Sequence, residues 1–211
     1  MVDSIFQGDN HSMNIAVFCS GNGSNFQAIV DSYKKGLFKA NIAIMVCDNP
    51  DAYAIERAEK EEIKVAVVDK RAFSSKESHE AEIIEVLHKE NIDLICLAGY
   101  MRILLPSFIG RYRNRILNIH PALLPMFKGT HAIRDAIEHK VKETGVTVHF
   151  VTEEMDAGPI ILQEKVEVKE NDTEETLAER IHKVEHRFYP EAIKLFVEGR
   201  LKIEGNRVKI D

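Results

Sequence analysis

Asn14-Ile15-Ala16-Val17-Phe18-Cys19 runs without interruption into Ser20-Gly21-Asn22-Gly23-Ser24-Asn25, and a helical pattern begins at about Phe26. A short apolar run of this kind makes a buried strand. Glycines let the backbone turn tightly and approach a ligand, while the next helix directs unpaired N–H groups and a positive partial charge at an anion. The junction therefore reads as a phosphate site carried by Gly21, Asn22, Gly23, Ser24 and Asn25, with a plain connecting turn as the alternative. It is neither a G-x-x-x-x-G-K-[ST] loop nor a complete G-x-G-x-x-G, because Phe26 stands at the third glycine position. Nucleoside triphosphates and dinucleotides lose ground accordingly.

Working outward, apolar and β-branched runs recur at 14–19, 42–47, 64–68, 93–98 and 116–119. Amphipathic stretches of helical length separate the first four. That alternation predicts an α/β fold: one doubly wound, Rossmann-like, mostly parallel sheet flanked by helices. Runs at 145–152 and 159–168, joined by Asp156-Ala157-Gly158-Pro159, predict an antiparallel strand pair late in the chain. Ser74-x-x-Glu77 has capping-box spacing ahead of Ala81, Ile83, Ile84 and Leu87. A later helix follows Asp172 or Thr173; its Leu177, Ile181, Val184 and Phe188 fall within about 60° of one another on a helical wheel. Pro190 is expected to kink or restart that helix.

The chain has 211 residues, 45% hydrophobic and 29% charged, which excludes disordered, collagen-like and disulfide-stapled classes. With no internal repeat or linker, residues 13–211 read as a single domain and residues 1–12 as a polar extension. The formal charge of −6 offers no positive field for a nucleic acid or an anionic membrane. A small phosphorylated ligand remains allowed, because backbone N–H groups can hold it locally. Cys19, Cys47 and Cys96 lie in apolar runs with no CxxC pair, the pattern of inert thiols in a reducing compartment. No apolar stretch reaches the ~18 residues needed to span a bilayer, and the first dozen residues lack a secretory pattern. A cytoplasmic location is expected.

Four clusters carry candidate chemistry. In Leu117-Asn118-Ile119-His120-Pro121, Asn118 and His120 share one strand face at the carboxyl end of a strand, where open α/β sheets bind ligands. An amide donor beside an imidazole suits oxyanion stabilisation with proton transfer; a structural histidine at a strand end is the bland alternative. Asp156 is by itself an ordinary turn former, but a carboxylate near His120 would favour the charged imidazole. His182-Lys183-Val184-Glu185-His186 matches the H-x-x-E-H zinc pattern. Both histidines fall roughly 130° to 170° from the apolar stripe, on the side expected to face solvent, with Glu185 about 70° off at its border; no metal site is expected. Tyr100-Met101-Arg102-Ile103-Leu104-Leu105-Pro106 could hold a flat heterocycle through its backbone or simply start a helix.

Taken together, Ser20-Gly21-Asn22-Gly23-Ser24-Asn25, Met101-Arg102-Ile103-Leu104, Leu117-Asn118-Ile119-His120-Pro121 with Leu123-Leu124-Pro125, and Val148-His149-Phe150-Val151 leading to Asp156-Ala157-Gly158-Pro159 resemble the phosphoribosylglycinamide formyltransferase family. The resemblance runs over about 13–201 with the motifs in family order. It implies 10-formyltetrahydrofolate as co-substrate, glycinamide ribonucleotide as acceptor and no metal. It also implies Asn118, His120 and Asp156 as the catalytic trio, with His120 protonated. Residues 21–25 and Glu185 would bind the ribonucleotide; Lys76, Met101, Arg102, Ile103, Leu104 and Asn118 would line the folate site. Lys76 replaces an Arg frequent in relatives, and Ala132 and Ile133 replace more polar residues expected after His131, departures confined to the peripheral folate contacts. Methionyl-tRNA formyltransferase and formyltetrahydrofolate deformylase share the trio but usually carry further domains, for which the chain is expected to leave no room. A non-catalytic phosphate-binding module would leave the trio unexplained. The partners implied are small molecules, with no nucleic acid and no membrane; the oligomeric state is not indicated.

Overall fold

A computed structural model describes residues 12–205 and 207–211. Apart from Ser12, the expected extension lies outside the described residues. One nine-stranded sheet organises the rest. Its first half alternates β1 (Asn14–Cys19), α1 (Ser24–Lys34), β2 (Asn41–Cys47), α2 (Tyr53–Lys60), β3 (Val65–Val67), α3 (Lys76–Lys89), β4 (Leu94–Leu97), α4 (Pro106–Arg111) and β5 (Ile116–His120). The second half holds α5 (Ala132–Glu138), β6 (Glu143–Phe150), β7 (Ile160–Glu167), α6 (Glu174–Val197), β8 (Leu201–Glu204) and β9 (Arg207–Ile210). The order across the sheet is β3-β2-β1-β4-β5-β6-β7-β9-β8. Strands β1 to β5 pair in parallel, as the alternation of strand and helix predicts.

Because the chain winds from β1 outward to β3 and then returns to β4, the carboxyl ends of β1 and β4 flank a topological switch point. Ligands bind in the crevice such a point creates. Burial on both faces explains the unbroken apolar runs. Ile15, Val17 and Cys19 join a core beneath α1 and α6, while Ala16 and Phe18 join a second core beneath α3 and α4.

The later half differs from the sequence expectation in three ways. The antiparallel pair β6–β7 is present, but β6 also runs antiparallel to β5, so three strands meander there. A terminal hairpin, β8–β9, attaches through β9 to β7; its short, charged strands carry too weak an apolar pattern to be read in advance. Pro190 does not interrupt α6, which continues from Glu174 to Val197. Proline removes one backbone N–H from the helix, and the burial of Pro190 with Tyr189, Ala192 and Ile193 offsets that loss.

Candidate active site at the switch point

The glycine loop is shaped by its own backbone and by contacts from α2. Gly23, which precedes α1, adopts φ 75°, and a Cβ there would lie 2.7 Å from the Cβ of Ala54. The Gly21 carbonyl accepts from Ala54 N (3.1 Å), and Arg57 clamps Asn22 through its carbonyl (2.9 Å) and its side-chain Oδ1 (3.1 Å). Among the described residues, the backbone N–H groups of Asn22, Gly23, Ser24 and Asn25 have no hydrogen-bond acceptor. Unpaired N–H groups at the head of an 11-residue helix are the kind of group that can hold an anion.

Asn25 Nδ2 donates to Glu185 Oε2 at 2.9 Å, bringing together two residues nominated for one ligand. Glu185 is not at a border: it is 4% exposed, and burial raises its carboxyl pKa against the opposing pull of Asn25 and His182. The wheel misplaced it because the buried series Leu177, Ile181, Glu185, Tyr189 steps by four and drifts about 40° per step. Helix α6 also packs on α1 as well as on the sheet, so a second face is covered. His186 is accordingly half-buried instead of solvent-facing, and its ring stacks on that of the exposed His182 at 6.1 Å. Glu185 is engaged with Asn25, and among the described residues no trio of potential ligands is arranged to hold a metal ion.

Across the switch point lies a cleft of about 350 Å³. Its walls include Met101, Arg102, Ile103, Leu104, Asn118, His120, His149 and Asp156. Tyr100 and Leu104 are buried at the ends of the ledge following β4, whereas Met101 and Ile103 between them are 67% and 65% exposed. Two bare apolar side chains at a concave site can take a flat apolar surface. Among the described residues, Arg102, Ile103 and Leu104 make no backbone–backbone hydrogen bonds, leaving these groups for a ligand. Residues 21–25 are not in this wall; Ser20 links them to it, donating its N–H to Gly99 O (3.1 Å) and accepting from Met101 N at Oγ (2.8 Å). Lys76, the exposed first residue of α3, also stands outside the wall. A second, more open recess of about 550 Å³ beside Lys128 and Arg207 shares Asp156 and Glu154 but is not lined by Asn118 or His120.

Sheet register assembles the polar centre. Asn118 on β5 lies opposite His149 on β6, and its Nδ2 contacts His149 Nε2 at 3.2 Å. The Phe150 carbonyl, 2.9 Å from His149 Nδ1, can only accept; Nδ1 therefore carries a hydrogen, and Nε2 faces Asn118 and Asp156. His120 Nε2 donates likewise to the Phe127 carbonyl at 2.8 Å. Asp156 reaches both rings, with Oδ2 3.6 Å from His120 Nδ1 and Oδ1 3.7 Å from His149 Nε2, and its Oδ2 accepts from Gly129 N at 2.8 Å. Asp156 has φ 51°, a left-handed conformation that aspartate tolerates. Nearby Gly158 permits the return of the chain: a Cβ there would strike the Phe150 carbonyl at 1.8 Å.

The electrostatics correct one expectation. Burial pushes the His120 pKa down, and this outweighs the upward pulls of Asp156 and the Phe127 carbonyl; the imidazole is held below its ordinary value. Asp156 alone does not keep it charged. For Asp156, burial acts upward but is overridden by His149, the Gly129 N–H and His120 together, and its pKa falls below the usual carboxylate range. The site thus holds an ionised carboxylate between two imidazoles, beside an amide donor. His149 completes the group, brought opposite Asn118 by the antiparallel register of β5 and β6.

Comparison with known proteins agrees with this architecture. The family model described as formyl transferase matches residues 13–193. The phosphoribosylglycinamide formyltransferase of Escherichia coli K12 is 43% identical over 199 residues, covering 94% of each chain. That of Bacillus subtilis 168 is 48% identical over 179 residues, covering 85% of this chain and 92% of the relative. The crystal structure of glycinamide ribonucleotide transformylase 1 from Symbiobacterium toebii superposes with a TM-score of 0.93 at 48% identity, covering 96% of this chain and 95% of the other. On the extent and identity of these matches, the chain belongs to the formyl transferase family, among the phosphoribosylglycinamide formyltransferases.

Proposed function

We propose that this enzyme transfers the formyl group of 10-formyltetrahydrofolate to the amine of glycinamide ribonucleotide, in purine biosynthesis, with residues 13–211 acting as one catalytic domain. The observation that carries the reading is the meeting of Asn118, His120 and Asp156 in the cleft that adjoins the glycine loop through Ser20. Residues 21–25 and Glu185 hold the phosphate and ribose side. Met101, Arg102, Ile103 and Leu104 receive the pterin, with Asn118 at its inner end and Lys76 near its outer one. Three buried, unpaired thiols fit a cytoplasmic setting.

In the reaction, the free amine attacks the formyl carbon, forming a C–N bond and a tetrahedral oxyanion. Asn118 Nδ2 and His120 Nε2 donate to that oxygen; the latter first leaves the Phe127 carbonyl. Negative charge developing beside His120 raises its basicity, so the imidazole whose pKa burial lowers at rest takes up, through water, the proton lost by the amine as the oxyanion forms, with Asp156 behind it. Collapse breaks the bond from carbon to N10, and the proton lost by the amine reaches N10. Two substrates held in adjoining halves of one cleft supply the orientation term. No step requires a metal.

One assay tests the reading. 10-Formyltetrahydrofolate is supplied with glycinamide ribonucleotide, with charged initiator tRNA, or with water alone, and loss of the formyl group is followed. Turnover is expected with the ribonucleotide; reaction only with tRNA or water would replace this function by one of its relatives.

A further inference from the structure

We propose that Asp48, which lies outside the cleft wall, is a positioning residue for the folate ledge and acts through Arg102. The inference rests on the reading that this ledge receives the folate. Asp48 follows β2 and is 6% exposed; its Oδ2 accepts from Arg102 Nε at 2.6 Å. Its Oδ1 is buried with no partner among the described residues. Arg102 follows β4, and the sheet order β2-β1-β4 puts β1 between them. At the usual strand spacing, the pair therefore bridges about 10 Å across the switch point, over the carboxyl end of β1.

Stability is a poor reason for such a pair. A buried carboxylate with one unmatched oxygen is costly, and buried ion pairs are often matched or bettered by apolar residues. The shape of the ledge supplies a better reason. Its ends are fixed: Tyr100 packs edge-on against Phe18 at 5.1 Å, and Leu105 N donates to both oxygens of the buried Glu80 (2.9 and 3.1 Å). Between those anchors the exposed residues Met101 and Ile103 have no backbone ladder to hold them. The tethers are Ser20 Oγ on Met101 N and Asp48 on Arg102. Asp48 thus holds the middle of the ledge at a fixed distance from the glycine loop, leaving the remaining guanidinium donors at the cleft rim.

Asp48→Asn, Arg102→Gln and the double variant test this in the whole enzyme. Asp48→Asn is expected to raise the KM for 10-formyltetrahydrofolate about tenfold, the scale of a lost charge-assisted hydrogen bond, while the KM for the ribonucleotide and kcat stay within about twofold. Arg102→Gln should do the same, and the double variant should be no worse than the more affected single one. An unchanged folate KM in Asp48→Asn, equal rises in both KM values, or multiplied effects in the double variant would overturn the proposal. Should Asp48→Asn fail to fold, Asp48→Ser with Arg102→Gln carries the same comparison. Calorimetric binding of tetrahydrofolate to each variant separates this question from the functional reading. A wild type that binds folate but does not transfer formyl to the ribonucleotide defeats the function and leaves the Asp48 effect measurable; no folate binding by the wild type defeats both.

Discussion

Two loops flank the switch point, and they hold their shapes by opposite means. The glycine loop rests chiefly on backbone: a left-handed Gly23 wedged against Ala54, the Gly21 carbonyl on Ala54 N, and a helix start, with Arg57 clamping Asn22. The Met101 to Leu104 ledge is shaped by side chains from elsewhere, namely Ser20, Asp48 and Glu80. One loop is shaped chiefly by backbone conformation; the other chiefly by side chains from elsewhere. A backbone cradle suits an anion, which needs N–H groups at fixed angles. A ledge of bare apolar side chains suits a flat ring, which needs area more than direction.

The difference can be broken most forcefully where the loops meet. His120→Ala is expected to lower kcat by about 10² to 10⁴, the range of a lost general acid or base, while both KM values stay within about threefold. A comparable rise in either KM would make His120 part of one binding loop instead of a group serving both. Gly23→Ala comes next. It forces a Cβ to 2.7 Å from that of Ala54 in a left-handed backbone, costing about 1 to 3 kcal/mol by thermal melting. The ribonucleotide KM should rise while the folate KM holds, and equal changes in both would mean that the loops are not independently built.

Ser20→Ala probes their joint with a smaller change. Loss of the acceptor for Met101 N should weaken folate binding about fivefold, near 1 kcal/mol, with less effect on the ribonucleotide. An unaffected folate KM would show that the ledge does not depend on this contact. The smallest expected effect is on pH-dependent stability. His120 and His186 both have lowered pKa values in the fold, burial being the first cause of each. The unfolded chain then binds more protons in the window below about 6.5, so stability is full above that pH and falls as pH drops toward the folded values. Melting temperatures measured from pH 7.5 downward should show the decline, and His120→Gln should flatten part of it; an unchanged slope would place the titration elsewhere.

The parallel half and the glycine loop were legible because their signals are local: apolar runs of strand length, helix periods, and a glycine where the backbone turns. Asn118 and His120 could be paired from the period of a single strand. His149 and Asp156 reach them through antiparallel register and a left-handed turn, which involve sequence separations that no periodicity measures. Glu185 was placed at a border because a helical wheel assumes one buried face, and α6 has two neighbours.

The sequence by itself determined the alternation of strands and helices in the parallel half, the glycine turn into α1 and the chemical types present at the sheet's carboxyl edge, because these follow from neighbouring residues. Only the tertiary structure decided that Asp156 stands between two histidines, that burial outweighs it at His120, and that Asp48 reaches across β1 to Arg102. Electrostatics depends on distance and desolvation, and both come into being when separate elements pack.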